Sequence, residues 1–409
     1  MKFFVPDWDD RVDPGYDFLT ERFTLDRDAY EDDVYGHEVT NERLYDGILI
    51  SRMALGEAGP KRERVERLGM RRFLRLPNDL QLLGDCGAYG YIREKEPRFE
   101  SADVIDYYHR LGFDYGVSVD HLIVTEFNDE RKHRYGLTLR NAEEFLTLYQ
   151  RGDYRFTPVG AIQGWDVPSY VEAARALVKM GYDYIAVGAL ARSATSTIAG
   201  ILLAIRASVP TEARLHLFGI SRLSLLPLLH ELNIESVDSA APLRQAWLSA
   251  KDNYYTLRRT YAAIRIPIAH QERPKNGTLV GRSTASLAQL SEAEREALSA
   301  VRAFDRQEQT LRAALNAVMT YDRLLANRLD RQTSQRRREL YHETLRDRPW
   351  RKCPCKMCRD LGVEIVIFRG NNRNRRRGFH NLWVLQRRIH SSGNGAESEF
   401  GESRRVSVL

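Results

Sequence analysis

Three cysteines stand within six positions in Cys353-Pro354-Cys355-Lys356-Met357-Cys358. In a chain with only four cysteines, such crowding points to a metal rather than to a disulfide framework. Three thiolates and one imidazole satisfy a tetrahedral Zn²⁺ with no open position, so the expected ion is structural. His380, 22 positions beyond Cys358, is the first candidate for the fourth ligand, and His390 is also available. A second set of residues follows short apolar runs: Asp85, Asp120, Gln163-Gly164, Gly188-Ala189-Leu190, Gly219 and Asp238. Singly, an Asp in such a place caps the next helix and a Gly makes a turn. Three carboxylates and an amide converging on one rim are different. Like charges brought together raise one another's pKa, an arrangement that proteins keep for chemistry.

The apolar runs that must position these groups are Gly47–Met53, Arg72–Leu83, Tyr115–Val119, Phe156–Ile162, Tyr184–Leu190, Arg214–Ile220 and Ile234–Val237. Between several of them lie segments of helical period, among them Ala102–Leu111, Leu139–Tyr149, Pro168–Met180, Thr197–Ala207 and Leu223–Leu232. Pro168 suits a first helical turn and Gly181 a C-terminal cap. Strands alternating with helices predict βαβ units and a parallel sheet. Seven runs plus Glu364–Phe368 make eight, the count of a closed (β/α)₈ TIM barrel, an α/β fold whose active site lies at the C-terminal ends of the strands.

The expected organisation is an acidic N-terminal arm over 1–45, the main part of the barrel over 46–245, and a helical insertion over 246–350 with Ser291–Leu325 as its clearest helix. Residues 351–390 hold the zinc-binding segment and the last barrel elements, and 391–409 read as a disordered tail. No run of 18 apolar residues marks a membrane span, and the acidic start does not read as a signal peptide, so a cytoplasmic protein is expected. The charge is uneven. Residues 1–35 carry 11 acidic and 4 basic side chains, 4 − 11 = −7, and residues 331–390 carry 17 basic and 5 acidic, 17 − 5 = +12. A basic block of that strength around a metal motif is the footprint expected of a nucleic-acid binder, with Arg336–Arg377 gripping backbone phosphates.

These motifs together resemble the tRNA-guanine transglycosylase family, and within it the DpdA branch associated with 7-deazaguanine modification of DNA. The resemblance covers roughly residues 45–245 and 350–390. Cys353-x-Cys355-x-x-Cys358 with a distal histidine is similar to the family's zinc signature, and His380-Asn381-Leu382 to its His-Asn-Leu ending. Gly84-Asp85-Cys86-Gly87-Ala88-Tyr89 resembles a segment whose Asp is the general acid/base and whose aromatic stacks on the base, with Cys86 in place of the usual Ser. Asp120 and Gln163-Gly164 match base-reading positions, and Gly188-Ala189-Leu190 a stretch whose backbone contacts the heterocycle. Phe218-Gly219-Ile220 resembles the family's Met-Gly-Val, a second sandwich wall opposite Tyr89, and Asp238, in Ser236-Val237-Asp238-Ser239, matches the covalent nucleophile.

The resemblance therefore implies exchange of guanine in nucleic acid for a 7-deazaguanine base, with DNA as the polymer and a partner ATPase that remodels it. The bacterial tRNA enzymes place a Glu shortly after the Leu190 position. Here Leu190-Ala191-Arg192-Ser193-Ala194 has no carboxylate, which favours a neutral 7-substituent and 7-cyano-7-deazaguanine as co-substrate. The rival expectations are a tRNA-guanine transglycosylase, a catalytically silent nucleic-acid-binding subunit, and an unrelated barrel enzyme with a structural zinc. Oligomeric state is not legible in the residues.

Overall fold

The computed structural model describes residues 1–56, 58–269, 285–325 and 331–393. The segment 394–409, most of the expected disordered tail, lies outside the described residues. The chain forms two compact units, one of Met1–Asp9 with Tyr45–Ala240 and the described chain from Arg388, the other of Asp10–Leu44 with Ala241–Arg387.

The first unit is a closed barrel of eight parallel strands. In chain order these are β1 (Lys2–Pro6), β2 (Gly47–Ser51), β3 (Gln81–Asp85), β4 (Tyr115–Val117), β5 (Thr157–Ile162), β6 (Tyr184–Val187), β7 (Arg214–Leu217) and β8 (Ser236–Asp238). Each pairs with the next, and β1 closes the ring between β8 and β2. Helices α1 (Pro60–Leu68), α2 (Ser101–Leu111), α3 (Arg131–Arg151), α4 (Val167–Met180), α5 (Thr195–Ser208) and α6 (Leu226–Glu231) lie between strands in sequence. The start of α4 is fixed by Asp166, whose side chain accepts from the Ser169 amide at 2.9 Å, and its end by Gly181 at φ +109°.

The eighth strand is a correction to the sequence-based expectation. Glu364–Phe368 does not enter the barrel: it is mostly a 3₁₀ turn, and Ile367–Phe368 pairs with Ile264–Arg265 in the second unit. Its place is taken by β1, from what reads as the acidic arm. Phe3 and Phe4 are fully buried, and the Asp46 carboxylate accepts the Phe3 amide at 2.9 Å. Gly47 makes room for the Phe4 ring, since a Cβ there would come within 2.5 Å of it. Phe4 then joins Leu49, Leu83, Val117, Val159, Ala161 and Ala186 in the layer that fills the barrel. Burial of a side chain of that size contributes roughly 1.5–3 kcal/mol, which is why five residues suffice to anchor the strand. A second difference is at Arg72–Leu83, where Met70–Phe73 is helical and only Gln81 onward is strand.

The second unit is mainly helical. The expected helix Ser291–Leu325 is two, Leu287–Asp305 and Leu311–Leu325, broken where Gln307 takes φ +67°. Leu287–Asp305 begins on a capping box from Ser286. The unit also joins the acidic and basic segments of the chain. Arg373, fully buried, contacts Glu21 and Glu364 at 2.8 and 2.7 Å, and Arg369 contacts Glu21 and Glu294 at 3.1 and 2.6 Å. Arg375 and Arg376 donate to the carbonyls of Arg11 and Asp13, and Arg377 to those of Ile365 and Ile367. Arg337 pairs with Asp322 at 2.5 Å. Much of the Arg336–Arg377 block is therefore internal framework rather than a free phosphate-binding surface. Buried guanidiniums must be paired and hydrogen-bonded, and the acidic segment supplies part of that pairing.

Candidate active site and metal centre

The rim residues converge because each ends or follows a barrel strand. Asp85 is the last residue of β3 and Asp238 of β8, Asp120 lies three residues beyond β4, and Gln163 directly follows β5. Asp120 is buried and held at both oxygens: the Cys86 thiol donates to Oδ1 at 3.2 Å and the Gln163 amide to Oδ2 at 2.6 Å. Burial, with the nearby Asp120 and Asp85 charges, pushes the Cys86 thiol well above its usual range, so it stays protonated as a donor. Tyr91 fixes this corner by donating to the Asp120 carbonyl at 2.9 Å, with its hydroxyl 3.0 Å from the Cys86 sulfur.

Asp85, Cys86 and Asp120 each place a ligand-type atom within 4.8 Å of the others. Crowding of this kind has an electrostatic result. Burial, then the charge on Asp120 and, more weakly, that on Asp238 raise the Asp85 carboxyl to about 7, against an opposing hydrogen bond from the Gly87 amide. Asp120 is also raised by burial, with the Cys86 and Gln163 hydrogen bonds acting against it. Asp85 thus sits where a carboxyl both gives and takes a proton near neutral pH.

Gln163 is buried, and its Oε1 has no hydrogen-bond partner among the described residues. Such an orphan acceptor is costly unless a ligand donor meets it. The amide fits only because residue 188 is glycine, since a Cβ there would come within 2.1 Å of Nε2. Next to it, Ala189 holds φ +58°, a conformation that side-chain-bearing residues rarely take and that concentrates at functional sites. Leu190 is buried behind it. Of the two expected aromatic walls, Phe218 is half-buried against the barrel core and Tyr89 stands at the rim, 64% exposed. Arg192 donates to the Tyr89 hydroxyl at 2.5 Å and pairs with Glu126 at 3.2 Å.

Asp238 receives the Gly219 amide on Oδ1 at 3.0 Å, and the same oxygen lies 3.3 Å from Nε2 of His216. His216 is fully buried, and its Nδ1 is 2.6 Å from Ser236 Oγ, which is itself 2.6 Å from the Tyr184 hydroxyl. These three residues are absent from the sequence-based set. Part of the signal was present, since His216 is two residues before Phe218 and Ser236 two before Asp238, which puts each pair on one strand face; the register that sets Ser236 beside His216 comes only from the fold.

In the second unit Cys353, Cys355, Cys358 and His380 form one cluster. The three sulfurs lie 3.6, 3.4 and 3.4 Å from His380 Nδ1. A tetrahedron built on usual Zn–S and Zn–N bond lengths has S···N edges of about 3.5 Å, so these residues fit one tetrahedral ion. The outer contacts fit as well. His380 Nε2 donates to the Tyr255 carbonyl at 2.7 Å, which leaves Nδ1 as the ligand atom. The Tyr254 ring stacks on His380 at 4.2 Å, and its hydroxyl lies 3.1 Å from the Cys358 sulfur. Asn381 accepts the Tyr255 amide and donates to the carbonyls of Pro242 and Asn253. His390, the other candidate ligand, instead faces Asp46 at 3.9 Å.

A TIM-type barrel with three carboxylates at its C-terminal rim and a Cys₃His cluster elsewhere in the chain is the arrangement of guanine transglycosylases. A family profile described as Queuine tRNA-ribosyltransferase matches residues 49–298, and the chain belongs to that tRNA-guanine transglycosylase family. It is a guanine transglycosylase, a pentosyltransferase. The chain is 36% identical over 408 residues, 95% of its own length and 96% of the relative's, to a DNA-guanine transglycosylase of Salmonella montevideo. It is also 27% identical over 187 residues (43% of this chain, 36% of the relative) to a tRNA-guanine(15) transglycosylase of Pyrobaculum aerophilum. A protein of the same description from Methanocaldococcus jannaschii is 24% identical over 277 residues, 63% of this chain and 40% of the relative. Among the described residues no helix is long and apolar enough to cross a membrane.

Proposed function

We propose that this protein exchanges guanine in DNA for a 7-deazaguanine base through an ester between Asp238 and the deoxyribose. The observation that carries the reading of the reaction is the pairing of Asp238, whose recorded contacts fall on Oδ1, with an Asp85 carboxyl raised to about 7. Asp238 Oδ2 attacks C1′, and the glycosidic bond breaks with its electron pair going to guanine. Guanine takes a proton from Asp85 as it leaves. The incoming base returns a proton to Asp85 and attacks C1′, and the C1′–Oδ2 pair returns to the carboxylate. Asp120 and the open Oε1 of Gln163 read the base edge, backbone groups at Gly164, Gly188, Ala189 and Leu190 line it, and Tyr89 and Phe218 form its aromatic walls.

The choice of DNA rests on the Salmonella relative, similar along nearly the whole chain. To reach Asp238 the target guanine must leave the stack. A neutral substituent, as in 7-cyano-7-deazaguanine, agrees with the absence of a carboxylate from Leu190-Ala191-Arg192-Ser193-Ala194. Cys353, Cys355, Cys358 and His380 hold a structural Zn²⁺, which would supply no step of the reaction and would pin the ends of its segment together. The reaction is set in the cytoplasm, and a partner ATPase opens or remodels the duplex.

The test is transfer of radiolabelled 7-cyano-7-deazaguanine into plasmid DNA and bulk tRNA in parallel, with and without cell lysate, for the wild type and Asp238→Ala. Label entering DNA only, and reduced by roughly 10³-fold or more in the variant, is the expected result. Label entering tRNA keeps the chemistry and overturns the polymer. No label in either, even with lysate, overturns the proposal.

A further inference from the structure

We propose that His216, fed by Ser236 and Tyr184 from within the barrel, is the positioning residue that fixes Asp238 and receives charge on its Oδ1 when the ester breaks. This inference rests on Asp238 being the nucleophile. The three contacts admit one arrangement of protons when the imidazole is neutral and Asp238 is ionised. An ionised carboxylate can only accept, so His216 Nε2 carries the hydrogen on the side of Oδ1, 3.3 Å away, where its alignment falls short of a hydrogen bond. Nδ1 then has only a lone pair, and the Ser236 hydroxyl donates to it at 2.6 Å. The Ser236 oxygen in turn accepts from Tyr184 at 2.6 Å. Each of the two hydroxyl protons has one acceptor, the Nε2–H faces Oδ1 without a closed hydrogen bond, and the tautomer is set by groups on β6 and β8 rather than by solvent.

Burial gives this relay its stiffness. His216 and Ser236 are fully buried and Tyr184 nearly so, in a barrel interior where side chains cannot swing aside. The Phe218 ring meets the imidazole edge to face at 4.7 Å, and Phe4 packs on it at 6.2 Å. The His216 and Gly219 donors converge on one oxygen of Asp238. That division assigns the two oxygens different tasks. Oδ2 forms the bond to C1′. Oδ1 becomes the ester carbonyl and then takes up negative charge as the C1′–Oδ2 electron pair returns, held by the Gly219 amide and faced at 3.3 Å by His216 Nε2, which closes on it as the charge develops. The second half of the exchange, in which the incoming base displaces Asp238, gains most from His216.

The experiment compares His216→Phe, which keeps a ring but removes the donor, with His216→Gln, whose amide can replace Nε2–H, and with Ser236→Ala, which removes only the group that sets the tautomer. Radiolabelled guanine is exchanged into DNA, and the covalent DNA–protein adduct is followed on denaturing gels. His216→Phe is expected to lower kcat about 10- to 100-fold with the KM for guanine nearly unchanged, and to accumulate adduct. His216→Gln should recover most of kcat, and Ser236→Ala should fall between. Unchanged kcat in His216→Phe would overturn the proposal, as would equal losses in the Phe and Gln variants without adduct, the signature of packing alone. If His216→Phe does not fold, Ser236→Ala decides: wild-type kcat and adduct level in it overturn the relay. Asp238→Asn is run alongside. Its inactivity keeps the two readings separate, and activity in it would overturn the nucleophile assignment itself.

Discussion

The barrel rim and the Cys₃His cluster are both tight groupings of ionisable side chains, and they are finished differently. In the cluster the contacts close: His380 donates its second nitrogen to the Tyr255 carbonyl, Tyr254 covers its ring, and Asn381 ties the backbone at Pro242, Asn253 and Tyr255 together through three hydrogen bonds. At the rim, contacts are left open. Gln163 Oε1 has no partner among the described residues, the Asp85 carboxyl titrates at about 7, and Ala189 is held at positive φ. Satisfied polar groups rigidify a fold, whereas unsatisfied and crowded ones raise the energy of the empty site until a substrate completes them. Tight groupings of ionisable side chains therefore serve stability in one region and reactivity in the other.

The comparison breaks most visibly under metal removal. Chelation, or Cys355→Ser, should lower the thermal midpoint by more than about 10 °C and remove activity together with structure, because the free energy of metal binding is folding free energy. Circular dichroism melts and metal analysis check this. A variant that loses the metal but keeps its melting curve would mean that the cluster is not structural.

Asp85→Asn tests the opposite character of the rim. The rate should fall about 10²- to 10⁴-fold, the usual worth of a positioned acid/base. Stability should move the other way. The folded-state pKa of about 7 lies above the ordinary carboxylate value, so the folded protein binds the proton more tightly. This group's contribution is full near pH 4 and is lost as pH rises through 7. Asparagine avoids that loss, so the variant should be more stable by about 1–3 kcal/mol at pH 8, after allowance for partial exposure, and no more stable near pH 4. Melts at both pH values decide the matter, and a variant destabilised at pH 8 would contradict the crowding argument. The smallest effect is expected for Gln163→Ala, a rise of about tenfold in the KM for the base with kcat largely kept. A fall in kcat at constant KM would give Gln163 a role in the reaction step instead.

Much of the candidate site was legible because strand ends announce themselves. Asp85, Asp120, Gln163 and Asp238 each follow an apolar run of strand length, and in a parallel barrel all such ends share one rim. The His216–Ser236–Tyr184 relay was not read, since it lies inside the strands, where an inward polar residue looks the same as an outward one until the pairing register is known. The N-terminal strand escaped for a related reason. Lys2–Pro6 lies beside acidic residues, and only closure of the ring shows why Phe3 and Phe4 are buried. Glu364–Phe368 misled in the opposite sense, being apolar enough for a barrel strand but buried in the second unit.

By itself the sequence determined the local quantities: the strand–helix alternation, the Cys-x-Cys-x-x-Cys spacing with His380, and the carboxylates at strand ends, all set by residues near one another along the chain. Tertiary structure decided what depends on distant partners. It chose which strand closes the barrel and turned Arg369, Arg373 and Arg377 from an apparent phosphate-binding run into buried framework. It also raised Asp85 by burying it and then by placing the Asp120 and Asp238 charges near it. The physical reason is that burial and Coulomb interaction depend on separation in space, which periodicity along a chain does not encode.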